Sequence, residues 1–438
     1  MSLSMPMAVV SLPFSPQNFP HSSSCSVQDL PPHQQMAIAQ ALAEPEHAPS
    51  HWVAPESQQE LQCLLSECDR NNWPVIPCGN QSKLAWGGLA KPVQLLVSSA
   101  GLNRIVDHAV ADLTVTVEAG VKLKDLQAIL QPHQQFLPLN PLYHDQATVG
   151  GIMATGCAGP WQQRYGGVRD LVLGFSFVRW DGQLAKAGGR VVKNVAGYDL
   201  MKLFVGSYGT LGFISQITFR LYPLPSHSQT VFLTGDTNQL AKLSQALRRS
   251  GLAPTAALIC SPALVQALNL GEELGLLVRF QNLEPVVQAQ IDEVKKLAQT
   301  LTLASQSFDN QAESELWQRW ENAMAGQGTT ETILCKFGLL PAKAADFLQQ
   351  LPGLGHVQLG NGIGWVRFGQ LDREKLNQQR QICQNYGGYV TVLEASPECK
   401  KHWDVWGQSG HGLAMMGRLK NQFDPHNTFS PGRFVGGF

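Results

Sequence analysis

Apolar residues recur at helical spacing along "SQQELQCLLSECDRN", at Leu61, Leu64, Leu65 and Cys68, with Glu60 near the start. This spacing predicts an amphipathic helix with its acid in the first turn. "PVIPC" follows as a short buried strand, and "VQLLVS" and "LTVTVEAG" as two more; the last alternates apolar and polar residues and stops at Gly120. "KLKDLQAILQPHQ" returns to the helical period. Further on, "DLVLGFSFVRW" and "GQLAKAG" form a predicted strand pair joined at Asp181-Gly182, a dipeptide that favours tight hairpins. "GSYGTLGFISQITFRLYPLP" combines spaced glycines with a strand and a Pro-rich exit near Pro223–Ser226. Beyond it the pattern starts afresh with the strand "QTVFLTG", the helix "NQLAKLSQALRRSG", the strand "LGLLVRF" and the helix "EPVVQAQIDEVKKLAQTL". That alternation predicts an α+β sandwich of antiparallel strands with helices on one face. Residues 1–45 show no period until "PPHQQMAIAQALAEP", where a helix can close a flexible lead-in. The expected organisation is a flexible segment over 1–45, a first domain over 46–225, and a smaller α+β domain with a C-terminal segment over 226–438.

The chain's 438 residues exceed one ordinary core, which agrees with two domains. A hydrophobic fraction of 44% and a charged fraction of 15% fit a folded globular protein, and a net charge of −1 gives no pull toward nucleic acid or an anionic membrane. Nine scattered cysteines without a C-x-x-C read as reduced thiols, not as a disulfide framework or a zinc or iron–sulfur site. The first basic residue is Arg70, so neither a secretory signal nor an Arg-rich transit peptide is expected, and no apolar run approaches the ~20 residues of a membrane span. These features predict a cytoplasmic protein, with any membrane association arising through partners.

There is no P-loop, no G-x-G-x-x-G opening a helix, no H-E-x-x-H and no G-x-S-x-G. Three glycine-rich loops are the positive signals. "PCGNQSKLAWGG" follows a predicted strand, and its turn-tolerant residues can aim successive N–H groups at an anion or simply connect strand to helix. In "NPLYHDQATVGGIMATGCAG", Gly150 and Gly151 permit close backbone approach, Thr148 offers a hydroxyl, and Pro141 stiffens the entry. "GSYGTLGFI" has glycines at 206, 209 and 212 before a strand, a spacing suited to backbone passing over a flat ring or a pyrophosphate.

Taken in order, Thr148-Val149-Gly150-Gly151, Arg164-Tyr165-Gly166, Asp170, the Asp181-Gly182 hairpin, "KNVAGYDL" and "GSYGTLGFI" resemble the FAD-binding domain of the vanillyl-alcohol oxidase/p-cresol methylhydroxylase flavoproteins. "PCGNQSK" resembles that family's first phosphate loop, with Gln81 where many relatives have glycine. Within the family, "VKNVAGYDLMKLFVGSYGTLG" is similar to the smaller flavoprotein subunits of bacterial glycolate oxidases, as is "FDPHNTFSPGRF", with Ser430 in place of the usual Asn. The resemblance implies a two-lobed FAD-binding domain with the flavin extended between the lobes. Carried over by position, it implies cofactor contacts from Pro77, Cys78, Gly79, Asn80, Gln81 and Ser82; from Pro141, Thr148, Val149, Gly150 and Gly151; from Asp170 and Asn194; and from Gly209, Thr210, Gly212 and Ile214. It further implies non-covalent FAD, a small 2-hydroxy acid such as glycolate as substrate, and a catalytic flavoprotein and an iron–sulfur subunit as partners. A self-sufficient FAD oxidoreductase and a scaffold without flavin are the alternatives. His356, His402, His411 and His426 lie far apart, so no catalytic base is assigned. Lys193 and Asn194 are expected at the flavin or the lobe junction, with Tyr198 and Asp199 bracing a turn and capping the helix after it.

Overall fold

The computed structural model describes residues 27–190, 197–326, 332–407 and 412–438. Ser57 opens the helix Gln58–Arg70: its hydroxyl accepts from the Glu60 N–H at 3.2 Å, and the Glu60 carboxylate accepts from the Glu56 N–H at 2.9 Å. The helix buries Leu61, Leu64, Leu65 and Cys68 against Val53, Val75 and Leu95, and each Leu so buried contributes about 2 kcal/mol. The strands beneath it form a four-stranded sheet in the order Val27–Asp29, His51–Val53, Leu95–Ser98, Val75–Cys78. The first pair is antiparallel and the others parallel.

Residues 27–42 depart from the flexible segment expected over 1–45. Val27–Asp29 pairs with the sheet, and the helix Pro32–Ala39 is followed by buried Ala41 and Leu42. Leu30, Ile38 and Leu42 pack on Ile76 and Leu96, and that burial outweighs the low-complexity flanks.

The second lobe is a five-stranded antiparallel sheet ordered Ile105–Ala109, Thr114–Glu118, Phe213–Arg220, Val172–Val178, Leu184–Gly188. Its last two strands are the predicted hairpin, turning where Gly182 has φ 79°. The helix Val149–Thr155 packs on this sheet. A third, eight-stranded antiparallel sheet is ordered Ala304–Asp309, His227–Thr234, Gly275–Asn282, Ala256–Cys260, Leu354–Gln358, Ile363–Phe368, Ile333–Gly338, Tyr389–Glu394. Its helices lie on both faces, not on the one face expected. Leu240 and Leu243 of Thr237–Arg249 and Val287 and Ile291 of Glu284–Thr300 meet Val231, Ile259 and Val278 on one side. Leu316 and Trp320 of Asn310–Ala325 meet Phe232, Leu258 and Leu277 on the other, together with Trp86, Leu142 and Cys157 of the first domain.

The C-terminal segment returns to the first domain. Val75 N–H donates to the Thr428 carbonyl at 2.7 Å, Ser430 N–H donates to the Val75 carbonyl at 2.9 Å, and Phe429 is fully buried beside Leu61 and Leu64. Buried Lys420, on the helix Gly412–Phe423, donates to Asp424, to the Phe429 carbonyl at 3.0 Å and to the Thr210 carbonyl at 2.9 Å.

Candidate functional site

A cleft opens between the two lobes of the first domain, walled by all three glycine-rich loops. Strand Val75–Cys78 delivers the first wall, from Pro77 through Gly79 to Ser82. Here the chain reverses at Gln81, whose φ of 59° places a non-glycine residue in the left-handed region. The N–H groups of Asn80, Gln81, Ser82 and Lys83 donate to no acceptor among the described residues. Consecutive free donors of this kind form an anion nest. The carbonyls at the loop's far end are occupied: Arg433 donates to Leu84 and, at 3.1 Å, to Trp86, while Lys400 donates to Ala85 and, at 2.9 Å, to Gly87. Burial above all, then the charge of Arg433, pulls the Lys400 ammonium down to about 7. Arg433 itself lines the cleft and leaves its Nε without a partner.

Thr148, Gly150 and Gly151 give the second wall. Thr148 caps the helix Val149–Thr155, its Oγ1 accepting from the Gly151 N–H at 3.2 Å. Gly79 passes so close that a Cβ there would overlap Thr148 Oγ1 and sit 3.0 Å from Thr148 Cβ. Only glycine lets the two walls meet. Gly209, Gly212 and Ile214 give the third wall, with Gly209 at φ 70° beside Pro77.

Twelve predicted residues thus share one cleft: Pro77, Cys78, Gly79, Asn80, Gln81, Ser82, Thr148, Gly150, Gly151, Gly209, Gly212 and Ile214. Four others lie off its lining. Pro141 is buried away from it. Val149 belongs to the core under the second sheet. Thr210 is buried and bonded to Ser207 and Lys420. Asp170 is exposed, its carboxylate accepting from the Gly167 N–H at 2.8 Å across a helix start, so it shapes the chain there and makes no wall of the cleft. Lys193, Asn194 and His411 fall outside the described residues. Asp199 does not cap the helix Met201–Phe204; it pairs with Lys202 at 2.6 Å on the surface, and Tyr198 is exposed. Sequence reasoning missed Lys83, Tyr208 and Arg433, although each lies inside a quoted motif: "PCGNQSK", "GSYGTLGFI" and "FDPHNTFSPGRF".

A second cavity adjoins the cleft through Gln81 and Ser82 and reaches the eight-stranded sheet. Glu394 organises it, accepting from Trp86 Nε1 at 2.6 Å, Tyr143 Oη at 2.7 Å and Arg367 Nη2 at 3.0 Å. Arg367 also donates to the Met324 carbonyl at 2.8 Å and to Thr332 at 2.9 Å. Tyr143 adopts φ 60°, and burial, then the charge of Glu394, raises its phenol. Among the described residues, the histidines beyond residue 300 form no cluster: His356 is buried between Trp320 and Trp365, and burial lowers it to about 3; His402 meets Glu398 and His426 meets Asp69 on the surface. Burial raises the Cys157 thiol, and it pushes Cys78 up to about 12, so neither is a thiolate nucleophile at neutral pH.

The free N–H run, the position of the cleft between two lobes and the small residues on its walls fit an extended, doubly phosphorylated cofactor such as FAD. Residues 49–188 match the model of the FAD binding domain. The chain is 30% identical to glycolate oxidase subunit GlcD of Bacillus subtilis, over 88% of this chain and 88% of that one. It is 28% identical to glycolate oxidase subunit GlcE of Escherichia coli, over 85% of this chain and 96% of that one. The fold superposes on p-cresol methylhydroxylase with a TM-score of 0.71 at 13% identity, covering 93% of each chain. The chain therefore belongs to the family of FAD-linked oxidoreductases that includes glycolate oxidase subunit GlcD, with the fold of p-cresol methylhydroxylase and FAD as its cofactor.

Proposed function

We propose that this chain is the FAD-bearing subunit of a glycolate oxidase-type complex that oxidises a small 2-hydroxy acid, glycolate to glyoxylate, together with a catalytic flavoprotein and an iron–sulfur subunit. The observation that carries the reading is the three-loop cleft, in a chain that aligns with nearly the whole of GlcE. Bound FAD supplies a two-electron acceptor for the substrate's C–H bond. The N–H groups of Asn80 to Lys83 would hold the pyrophosphate, with Thr148 and Gly79 keeping the two walls close and Gly209 to Ile214 offering a wall to the flavin. We take attachment as non-covalent; Cys78 and Cys157, whose thiols burial raises, agree with it. The absence of a histidine cluster beyond residue 300, among the described residues, supports a complex in which a partner completes the chemistry. Among the described residues no helix is long and apolar enough to cross a membrane, which supports a cytoplasmic subunit docked through its partners.

The second cavity favours one competing reading, a self-sufficient oxidoreductase. The absorbance of the purified, FAD-loaded chain under anaerobic glycolate separates the two. Bleaching only after the partner subunits are added is the expected result; bleaching by the chain alone establishes the self-sufficient enzyme. A chain that purifies and reconstitutes without flavin refutes the flavoprotein role altogether.

A further inference from the structure

Lys83 is 7% exposed, and its ammonium donates to nothing among the described residues. It lies 5.7 Å from the centre of the Trp86 ring and 5.6 Å from that of Tyr143, both walls of the second cavity, while the residue itself lines the cofactor cleft. The carboxylates whose fields reach it are Glu394 and Glu321. Each is already matched: Glu394 by Arg367, Trp86 and Tyr143, and Glu321 by His144 at 2.7 Å. Lys336 brings a second cation to the neighbourhood of Cys157, which is neutral. The junction therefore has more buried cations than anions. A buried ammonium without a hydrogen-bond acceptor is costly; the Trp86 and Tyr143 ring faces offset part of that cost, and an arriving anion would offset more of it.

We infer that Lys83, backed by the Glu394-anchored Tyr143 and Arg367 network, is the residue that receives the carboxylate of a 2-hydroxy acid where the cofactor cleft opens into the second cavity. The inference rests on the proposed 2-hydroxy-acid reading. It gives this chain its own substrate-anion contact, with the rigid Trp86–Glu394–Tyr143 frame fixing the rings on either side of the ammonium. Glu394 is kept out of the carboxylate's way by the three donors it accepts from, so the cavity does not repel an anion. No proton or electron transfer is assigned to Lys83; its role is recognition.

Oxalate, a two-carboxylate analogue of glycolate, is the probe. The FAD-loaded full chain is titrated with it while the flavin absorbance is followed, and FAD affinity is measured separately. Wild type is expected to show a saturable spectral change. Lys83→Met is expected to keep FAD within about threefold and to bind oxalate on the order of 30-fold more weakly, the worth of one charge-assisted hydrogen bond. Lys83→Arg is expected to recover part of that loss. Oxalate binding unchanged in Lys83→Met overturns the inference. An equal loss of FAD assigns the ammonium to the cofactor's own phosphates and overturns it as well. A wild type blind to oxalate yet bleached by glycolate in the complex overturns only the role of Lys83; one neither perturbed nor bleached overturns the 2-hydroxy-acid reading too.

Discussion

Replacing Gly79 by Ala should damage FAD binding through one atom pair. The added methyl overlaps Thr148 Oγ1, while Thr148 Cβ and Cγ2 stay at 3.0 and 3.1 Å, a separation that a shift of a few tenths of an ångström relieves. Thr148 must then turn away, which removes its hydrogen bond to the Gly151 N–H. A lost N-cap costs about 1 kcal/mol, and a displaced rotamer or helix start costs about 1 kcal/mol more. Expressed in binding, the sum of about 2 kcal/mol weakens FAD about 30-fold. Thr148→Ala alone loses only the cap, about 1 kcal/mol or about fivefold. In the double variant the offending oxygen is absent, so Gly79→Ala should add little to Thr148→Ala. The cycle is read by the fluorescence of released flavin and, independently of the cofactor, by the Tm of the apoprotein. Additive effects, with the double variant about 150-fold weaker than wild type, would refute the contact as the cause.

Other consequences are equally direct. Gln81→Gly should raise Tm slightly, because it relieves a left-handed φ of 59°, whereas the β-branched Gln81→Val should lower it. The His144 pKa is raised, first by its hydrogen bond to Glu321, so this contact stabilises fully below the ordinary histidine value of about 6.5 and is lost as pH rises through the raised one. The Tm gap between wild type and Glu321→Gln should therefore be larger at pH 5.5 than at pH 8.5; a gap that grows with pH contradicts this assignment. Acid precipitation of the holoprotein should leave a colourless pellet and a yellow supernatant, and a yellow pellet would show a covalent flavin.

The sequence was most legible where one short segment determines its own geometry. A turn-rich loop straight after a strand could be placed in the cleft, because Pro77 to Ser82 act together and locally. The same motif logic over-reached at Val149 and Thr210, where residues inside a conserved-looking string serve the core beneath the ligand wall. Helical periodicity revealed which side of Thr237–Arg249 is apolar, yet it carries no information about which face of a sheet that side covers. For that reason helices were expected on one face and occupy two. Lys83, Lys400 and Arg433 were invisible as a group, since Lys83 stands more than 300 positions from the other two and single charged residues so spread leave no periodic trace. Their meaning arises only when Lys400 and Arg433 are seen on the carbonyls of residues 84–87.

Those three cations share a feature that bears on how the cleft works. Arg433 and Lys400 bind carbonyls and Lys83 binds nothing among the described residues, so none of the three is neutralised by a directly bonded carboxylate. Burial lowers all three groups, which measures what their desolvation costs the folded chain. A fold does not retain three such charges for stability alone, because apolar side chains would fill the same space at less cost. Lys83 and Arg433 line the cleft whose loop carries the free N–H donors, and Lys400 holds the carbonyls of Ala85 and Gly87 behind that loop. Two of the three come from the eight-stranded-sheet domain and the C-terminal segment. The cofactor cleft is thus walled in part by the chain that folds back over it: Ser430, at φ 44° and fully buried, stands two residues before Gly432, the turn that leads to Arg433.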